Sequence, residues 1–139
     1  MTINLDIKGF KSVAPHFDLF FIDIWGVIHN GIKIFHNSLE VLQELENLQK
    51  EYVLLTNAPR PNYVVRDYLE KMGLKRNITK KVYTSGEAAL NYLETKYKEK
   101  KFFHIGPHRD FDLFKSLKKY KAQTPLEAEY LLCTGLFEN

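Results

Sequence analysis

The sequence predicts an α/β fold built on a parallel sheet, and three observations point there. Short apolar runs alternate with amphipathic helical stretches, an order that implies parallel strands joined by right-handed crossovers. The runs are continuous in hydrophobicity, as in Leu19-Phe20-Phe21-Ile22, which suits strands covered on both faces. Each run closes on turn or cap residues: Asp23 to Gly26, Thr56 to Pro61, Thr84 to Glu87, and Gly106-Pro107.

Taken in order, residues 1–17 read as a short lead-in helix or loop, with turn residues from Ser12 to Pro15. The first strand covers Leu19 to Ile24. Within Val27 to Ile34, Asn30-Gly31 between β-branched residues predicts a small two-stranded flap. A helix follows, capped by Asn37 or Ser38, with Glu40 in its first turn and a stripe of Leu39, Leu42, Leu45 and Leu48. The second strand, Tyr52 to Leu55, is stopped by Pro59 and Pro61, and Pro61 opens the next helix at its first position. That helix buries Val65, Leu69 and Met72 and ends at Gly73. Lys81 to Tyr83 is the third strand, and Thr84 or Ser85 caps a helix bearing Ala89, Leu93 and Tyr97. Beyond a Lys-rich loop come a strand from Phe102 to Ile105 and a helix capped by Asp110 that carries Phe111, Phe114 and Leu117. A single turn at Thr124 to Glu127 and a strand from Tyr130 to Thr134 complete the order. The sequence stops where the pattern calls for another helix.

At 139 residues the chain is one domain or part of one. Its 20 Lys+Arg against 17 Asp+Glu leave a net charge of +3, too mild for a nucleic-acid binder. The basic stretch Lys96 to Lys101, and Lys75, Arg76, Lys80 and Lys81, read as solvated. The lone Cys133, in an apolar run, reads as a buried structural thiol, and it excludes a disulfide framework. There is no signal-peptide layout and no apolar run near the ~20 residues of a membrane span, so a reducing cytoplasm is expected and a membrane is not. His16, His36, His104 and His108 lack metal-ligand spacing.

Asp23 and Thr56 each stand at the carboxyl end of a buried strand, where open α/β sheets bind ligands. A carboxylate there serves as a nucleophile, as a ligand for a hard cation such as Mg²⁺, or as a turn residue. The Thr56 hydroxyl and the N–H groups that follow, including that of Asn57, suit a phosphoryl oxygen. Gly26 lets the turn approach a ligand closely. His29, in the flap, either contacts substrate or is an exposed turn histidine. Arg60 either reaches an anion or sits on a surface loop, and Trp25 walls the pocket.

Phe20-Phe21-Ile22-Asp23-Ile24-Trp25-Gly26-Val27 followed by Leu54-Leu55-Thr56-Asn57 resembles motifs I and II of the haloacid dehalogenase (HAD) superfamily. Tyr83-Thr84-Ser85-Gly86-Glu87-Ala88-Ala89 and His104-Ile105-Gly106 narrow the resemblance to its class IIA phosphatases of nucleotides, p-nitrophenyl phosphate and pyridoxal phosphate. The resemblance runs from Asp18 to Gly135. It implies a Rossmann-like core, here incomplete and covering residues 1–97, followed by the truncated start of an α/β cap over residues 98–139. It makes Asp23 the nucleophile that forms an aspartyl-phosphate, Thr56 and Asn57 the phosphate ligands, and Asp23 with the Trp25 carbonyl the Mg²⁺ ligands.

Two departures qualify that activity. Most phosphatases of the superfamily have Asp-x-Asp-Gly in motif I, and the second Asp is the acid/base. Trp25 stands there instead, and an indole cannot exchange protons near neutral pH. The Lys of motif III and the acidic pair of motif IV are expected beyond residue 139, so Mg²⁺ should bind weakly. The chain therefore reads as half of a hydrolase of small phosphate esters, as an inactive remnant, or as one part of a split protein completed by a C-terminal half. An isolated half-core should expose an apolar sheet edge and self-associate.

Overall fold

The computed structural model describes residues 9–137. Two short 3₁₀ turns, Phe10–Ser12 and Ala14–His16, form the described lead-in and bury Val13 and Ala14; the expected lead-in over residues 1–8 lies outside the described residues. The strands are β1 (Leu19–Asp23), β2 (Glu51–Thr56), β3 (Val82–Thr84), β4 (Phe102–Ile105) and β5 (Tyr130–Cys133). The helices are α1 (His36–Asn47), α2 (Asn62–Lys71), the one-turn α3 (Arg76–Thr79) and α4 (Ser85–Lys96). The α/β fold and its parallel strands are as the sequence predicts, in two sheets: β1-β2-β3 and β4-β5, all pairs parallel.

The first sheet is built on its period of two. Phe20 and Ile22 of β1, Tyr52 and Leu54 of β2 and Val82 of β3 face one cluster. Leu42 and Leu45 of α1 and Leu69 of α2 close that cluster from the helical side. The opposite face carries Leu19, Phe21, Leu55 and Tyr83, all exposed, with Phe21 at 68%. Coverage on both faces, expected from the continuous apolar runs, is thus one-sided among the described residues. The second sheet has its own cluster, with Leu93 of α4, Phe102 of β4 and Leu113, Phe114 and Leu117.

Caps and stops follow the sequence in part. α2 ends at Gly73, whose φ of +103° a residue with a side chain rarely adopts. Pro61 is the N-cap of α2, one position before its expected place. Thr84 caps α4 by accepting the Glu87 N–H at 2.9 Å. Neither Asn37 nor Ser38 caps α1; Phe35 holds that position, and the Ser38 hydroxyl donates to the Val27 carbonyl.

Other expectations are corrected. The two-stranded flap is a turn: the Ile28 N–H donates to Ile24 O at 2.8 Å, so the chain coils after Asp23, and single bridges Trp25–His29 and His29–Ile34 replace a ladder. Asn30 keeps its turn role, its side-chain oxygen accepting the N–H groups of Ile32 and Lys33. Lys81 is not a solvated lysine: it pairs with Glu46 at 3.2 Å and lies 3.6 Å over the Tyr52 ring, tying α1 to the sheet. Cys133 is exposed, because alternate residues of β5 face outward. The segment after β4 is a kinked 3₁₀ run, His108–Tyr120, capped by Pro107 rather than Asp110. No helix among the described residues is long and apolar enough to cross a membrane.

Leu54, fully buried at the centre of the first sheet, tests this packing. Leu54→Ala should lower the unfolding free energy by about 2–5 kcal/mol. Leu126→Ala, at a position 98% exposed, should leave it within about 0.5 kcal/mol. Urea titration followed by circular dichroism reads both.

Candidate active site

Parallel pairing sets Asp23 opposite Leu55 in register, with Thr56 one residue further along β2. Both polar residues therefore stand at the carboxyl end of the first sheet. Phe21, Asp23, Leu55, Thr56 and Asn57 line one open crevice there. Asp23 is exposed, and one carboxylate oxygen, Oδ1, accepts the Ile24 N–H at 2.8 Å. That bond orients the carboxylate at the end of the strand. Thr56 is buried, and its hydroxyl accepts the Ala58 N–H at 3.3 Å, which folds the chain back after the strand.

The loop from Asn57 to Pro61 is held by the start of α4. The Gly86 N–H and the Ser85 hydroxyl both donate to the Ala58 carbonyl at 3.1 Å. The Thr84 hydroxyl donates to the Arg60 carbonyl while its oxygen caps α4. Glu87 accepts the Asn62 N–H, and the Asn62 side chain accepts the Thr84 N–H, each at 2.9 Å. A Cβ on Gly86 would run into the Arg60 backbone, so only glycine permits this approach.

The other residues singled out in the sequence lie apart from that crevice. Trp25 is 63% exposed and leans over the Asn30-Gly31 turn, its ring edge-to-face with His29 at 5.3 Å between centroids. His29 is 4% exposed, which excludes an exposed turn histidine. Its Nδ1 accepts the Gly31 N–H at 2.8 Å, and its ring packs on Tyr68. Burial lowers the pKa of His29 from its ordinary 6.5. The Tyr68 hydroxyl, unmarked by the sequence pattern, donates to Gly31 O at 3.0 Å and fixes the turn from α2. Gly26 lines a separate depression with Val27 and the segment Lys33 to Ser38. Arg60 turns to Asp110, with guanidinium and carboxylate 3.8 Å apart. Asp110 is 3% exposed, a burial with no local sequence signal, since an acidic residue after Gly-Pro reads first as a cap.

A carboxylate, a hydroxyl and the start of a turn thus meet at the carboxyl ends of adjacent parallel strands, where open α/β sheets bind ligands. The profile of the haloacid dehalogenase-like hydrolases matches residues 20–120, and the chain belongs to that family. Solved structures share the fold. A haloacid dehalogenase-like hydrolase from Brucella suis is 29% identical, with a TM-score of 0.78 over 92% of this chain and 48% of its own. A p-nitrophenyl phosphatase from Archaeoglobus fulgidus is 22% identical, with a TM-score of 0.64 over 82% of this chain and 43% of its own. A glycerol phosphate phosphatase from Mycobacterium tuberculosis, in complex with magnesium, is 17% identical, with a TM-score of 0.60 over 88% of this chain and 37% of its own. The chain thus spans about half the length of these proteins or less. No curated protein matches it significantly.

Two measurements test the turn beside Asp23. Gly31 has φ +87°, and a Cβ there would lie 2.7 Å from the Trp25 ring. Gly31→Ala should displace the single tryptophan and shift its fluorescence maximum. Gly73→Ala, with nothing within 4 Å, should cost stability without moving that emission. His29, held neutral by burial, takes up its proton in the unfolded chain first as pH falls. Stability is full above about pH 6.5 and declines below it, until the lower folded pKa is passed. NMR titration of the His29 ring should give a midpoint below 6.5, with melting temperature falling from pH 7 to 5.

Proposed function

We propose that this chain supplies the nucleophile and phosphate-holding half of a class IIA phosphate-monoester hydrolase acting on a small phosphate ester. The observation that carries the reading is the shared crevice of Asp23, Thr56 and Asn57 at the carboxyl ends of β1 and β2, in a member of this hydrolase family. The Asp23 carboxylate bonds to phosphorus and the ester oxygen leaves with its electron pair. Water then attacks the phosphorus, the bond to Asp23 breaks, inorganic phosphate and a proton are released to solvent, and the carboxylate is regenerated. The Thr56 hydroxyl and the Asn57 N–H hold phosphoryl oxygens during both steps. The indole N–H of Trp25 is far too weak an acid to protonate the leaving group, which forfeits about 10²–10⁴ in rate unless another group supplies the proton.

Mg²⁺ takes one or two carboxylates together with substrate phosphate. The described residues offer the crevice Asp23, with one oxygen already engaged, and no group of three candidate ligands. Asp23, with the Trp25 carbonyl that the resemblance implies as second ligand, is too small a set to hold Mg²⁺ without substrate phosphate, and neither step above is derived through the ion.

The half-site reading extends to a partner, a complementary C-terminal half. The exposed face of Leu19, Phe21, Leu55 and Tyr83 supports it, as do the related structures of roughly double length. The division into core through residue 97 and cap from residue 98 belongs to the same proposal. Two sheets with separate clusters support it, although Leu90 and Leu93 of α4 pack in the second cluster. We further infer a cytoplasmic location, which suits an exposed lone thiol.

The test mixes this chain with the second half of a related hydrolase and follows p-nitrophenyl phosphate hydrolysis. Activity should rise on mixing, vanish with Asp23→Asn and fall about 10²-fold or more with Thr56→Val. Undiminished hydrolysis by the complemented Asp23→Asn variant would refute the assignment. Without a complement, the chain should associate at high concentration, and Phe21→Ser should reduce that association in analytical ultracentrifugation.

A further inference from the structure

We propose that Asp110 is a positioning residue: through its ion pair with Arg60 it fixes the loop that follows Thr56 and begins at Asn57, and so couples the β4–β5 unit to the crevice. The role of that loop in holding phosphate rests on the function proposed above; the mechanical coupling does not.

A carboxylate that is 3% exposed is costly unless a cation faces it, and Arg60 faces Asp110 Oδ1 at 3.8 Å. The two side chains come from different units, Arg60 from the loop after β2 and Asp110 from the run that follows β4. Asp110 is confined from its other side. A Cβ on Gly135, just after β5, would lie 3.3 Å from Asp110 Oδ2, so the carboxylate is held between the loop and the end of β5.

From Arg60 the contacts run without a gap to Thr56. The Arg60 carbonyl takes the Thr84 hydroxyl, and Gly86 lies against the Arg60 backbone. The Gly86 N–H reaches Ala58 O, and the Ala58 N–H reaches the Thr56 hydroxyl. The backbone of the loop is thus clamped by the start of α4, while the Arg60 side chain, about one-third exposed, is held by Asp110 from the second unit. A movement of the β4–β5 unit would pull on Arg60 directly, two residues beyond the Ala58 bond to Thr56.

The test uses the full chain and backbone amide NMR. Asp110→Asn keeps the shape and removes the charge. It should shift the amides of Asn57, Ala58 and Arg60, and those of Ser85 and Gly86, besides its own surroundings. Arg60→Gln, at a partly exposed position, should shift the same set, which covers the case in which Asp110→Asn fails to fold. The charge-reversed pair Arg60→Asp with Asp110→Arg should return those amides toward wild-type positions and melt above either single reversal. Changes confined to residues 102–135 in Asp110→Asn, or a reversed pair no better than its single variants, would overturn the proposal. Neither readout requires hydrolysis, so a failure here is separable from a failure of the hydrolase reading.

Discussion

The register of β1 against β2 is the constraint on which the rest depends. With Asp23 opposite Leu55, β1 points Phe20 and Ile22 into the cluster and turns Phe21 and Asp23 outward. A slip of one residue would send Asp23 into that cluster and expose Phe20 and Ile22. Apolar burial therefore places the carboxylate: the residues that stabilise the sheet also decide which way Asp23 faces. The pairing begins with the Glu51 N–H on Asp18 O at 2.9 Å and ends at Asp23 and Leu55, so the strand is no longer than that placement requires.

The second requirement is a fixed loop after β2. Its carbonyls at Ala58 and Arg60 have no strand partner, and buried backbone groups need one. The first turn of α4 supplies it, because helix N-termini carry N–H groups without intrahelical acceptors. Thr84 serves both sides, capping α4 through its oxygen and holding Arg60 O through its proton. Part of the sequence stretch Tyr83 to Ala89 thus acts as the clamp on the loop that follows Thr56. The adjacency of β2 and β3, with Thr56 opposite Thr84, makes the contact possible.

What the sequence revealed and what it hid divide along physical lines. Strands, the Gly73 stop and the Thr84 cap were legible because each rests on local chemistry: apolar runs, a positive φ, a hydroxyl before a helix. The crevice residues Asp23, Thr56 and Asn57 were legible because strand ends in a parallel sheet converge. His29, Cys133 and Asp110 were not, since their burial depends on what packs against them. His29 is covered by Trp25 and Tyr68, Asp110 is met by Arg60, and Cys133 points to the side of β5 left uncovered. The flap failed for a related reason. Asn30-Gly31 encodes the turn correctly, but Ile28 is drawn into the core by a coil starting at Ile24, which removes the first strand of the hairpin.

The electrostatics of the crevice carry the argument one step further. None of the ion pairs among the described residues involves Asp23. The first cation along the chain after Thr56, Arg60, is engaged by Asp110, and Lys50 is engaged by Asp18 at the opposite end of β1. A phosphate brought to about 4 Å from Asp23 would meet a repulsion of roughly 4 kcal/mol per pair of unit charges at an effective dielectric of about 20. The net +3 of the chain does little against it, since charges beyond a Debye length of about 8 Å are screened. On the proposed hydrolase reading, catalysis at Asp23 would therefore need positive charge delivered at the crevice mouth. The neighbouring surface, Phe21 and Leu55, demands apolar cover. A completing segment of the kind proposed would have to be apolar along the sheet and cationic where β1 ends.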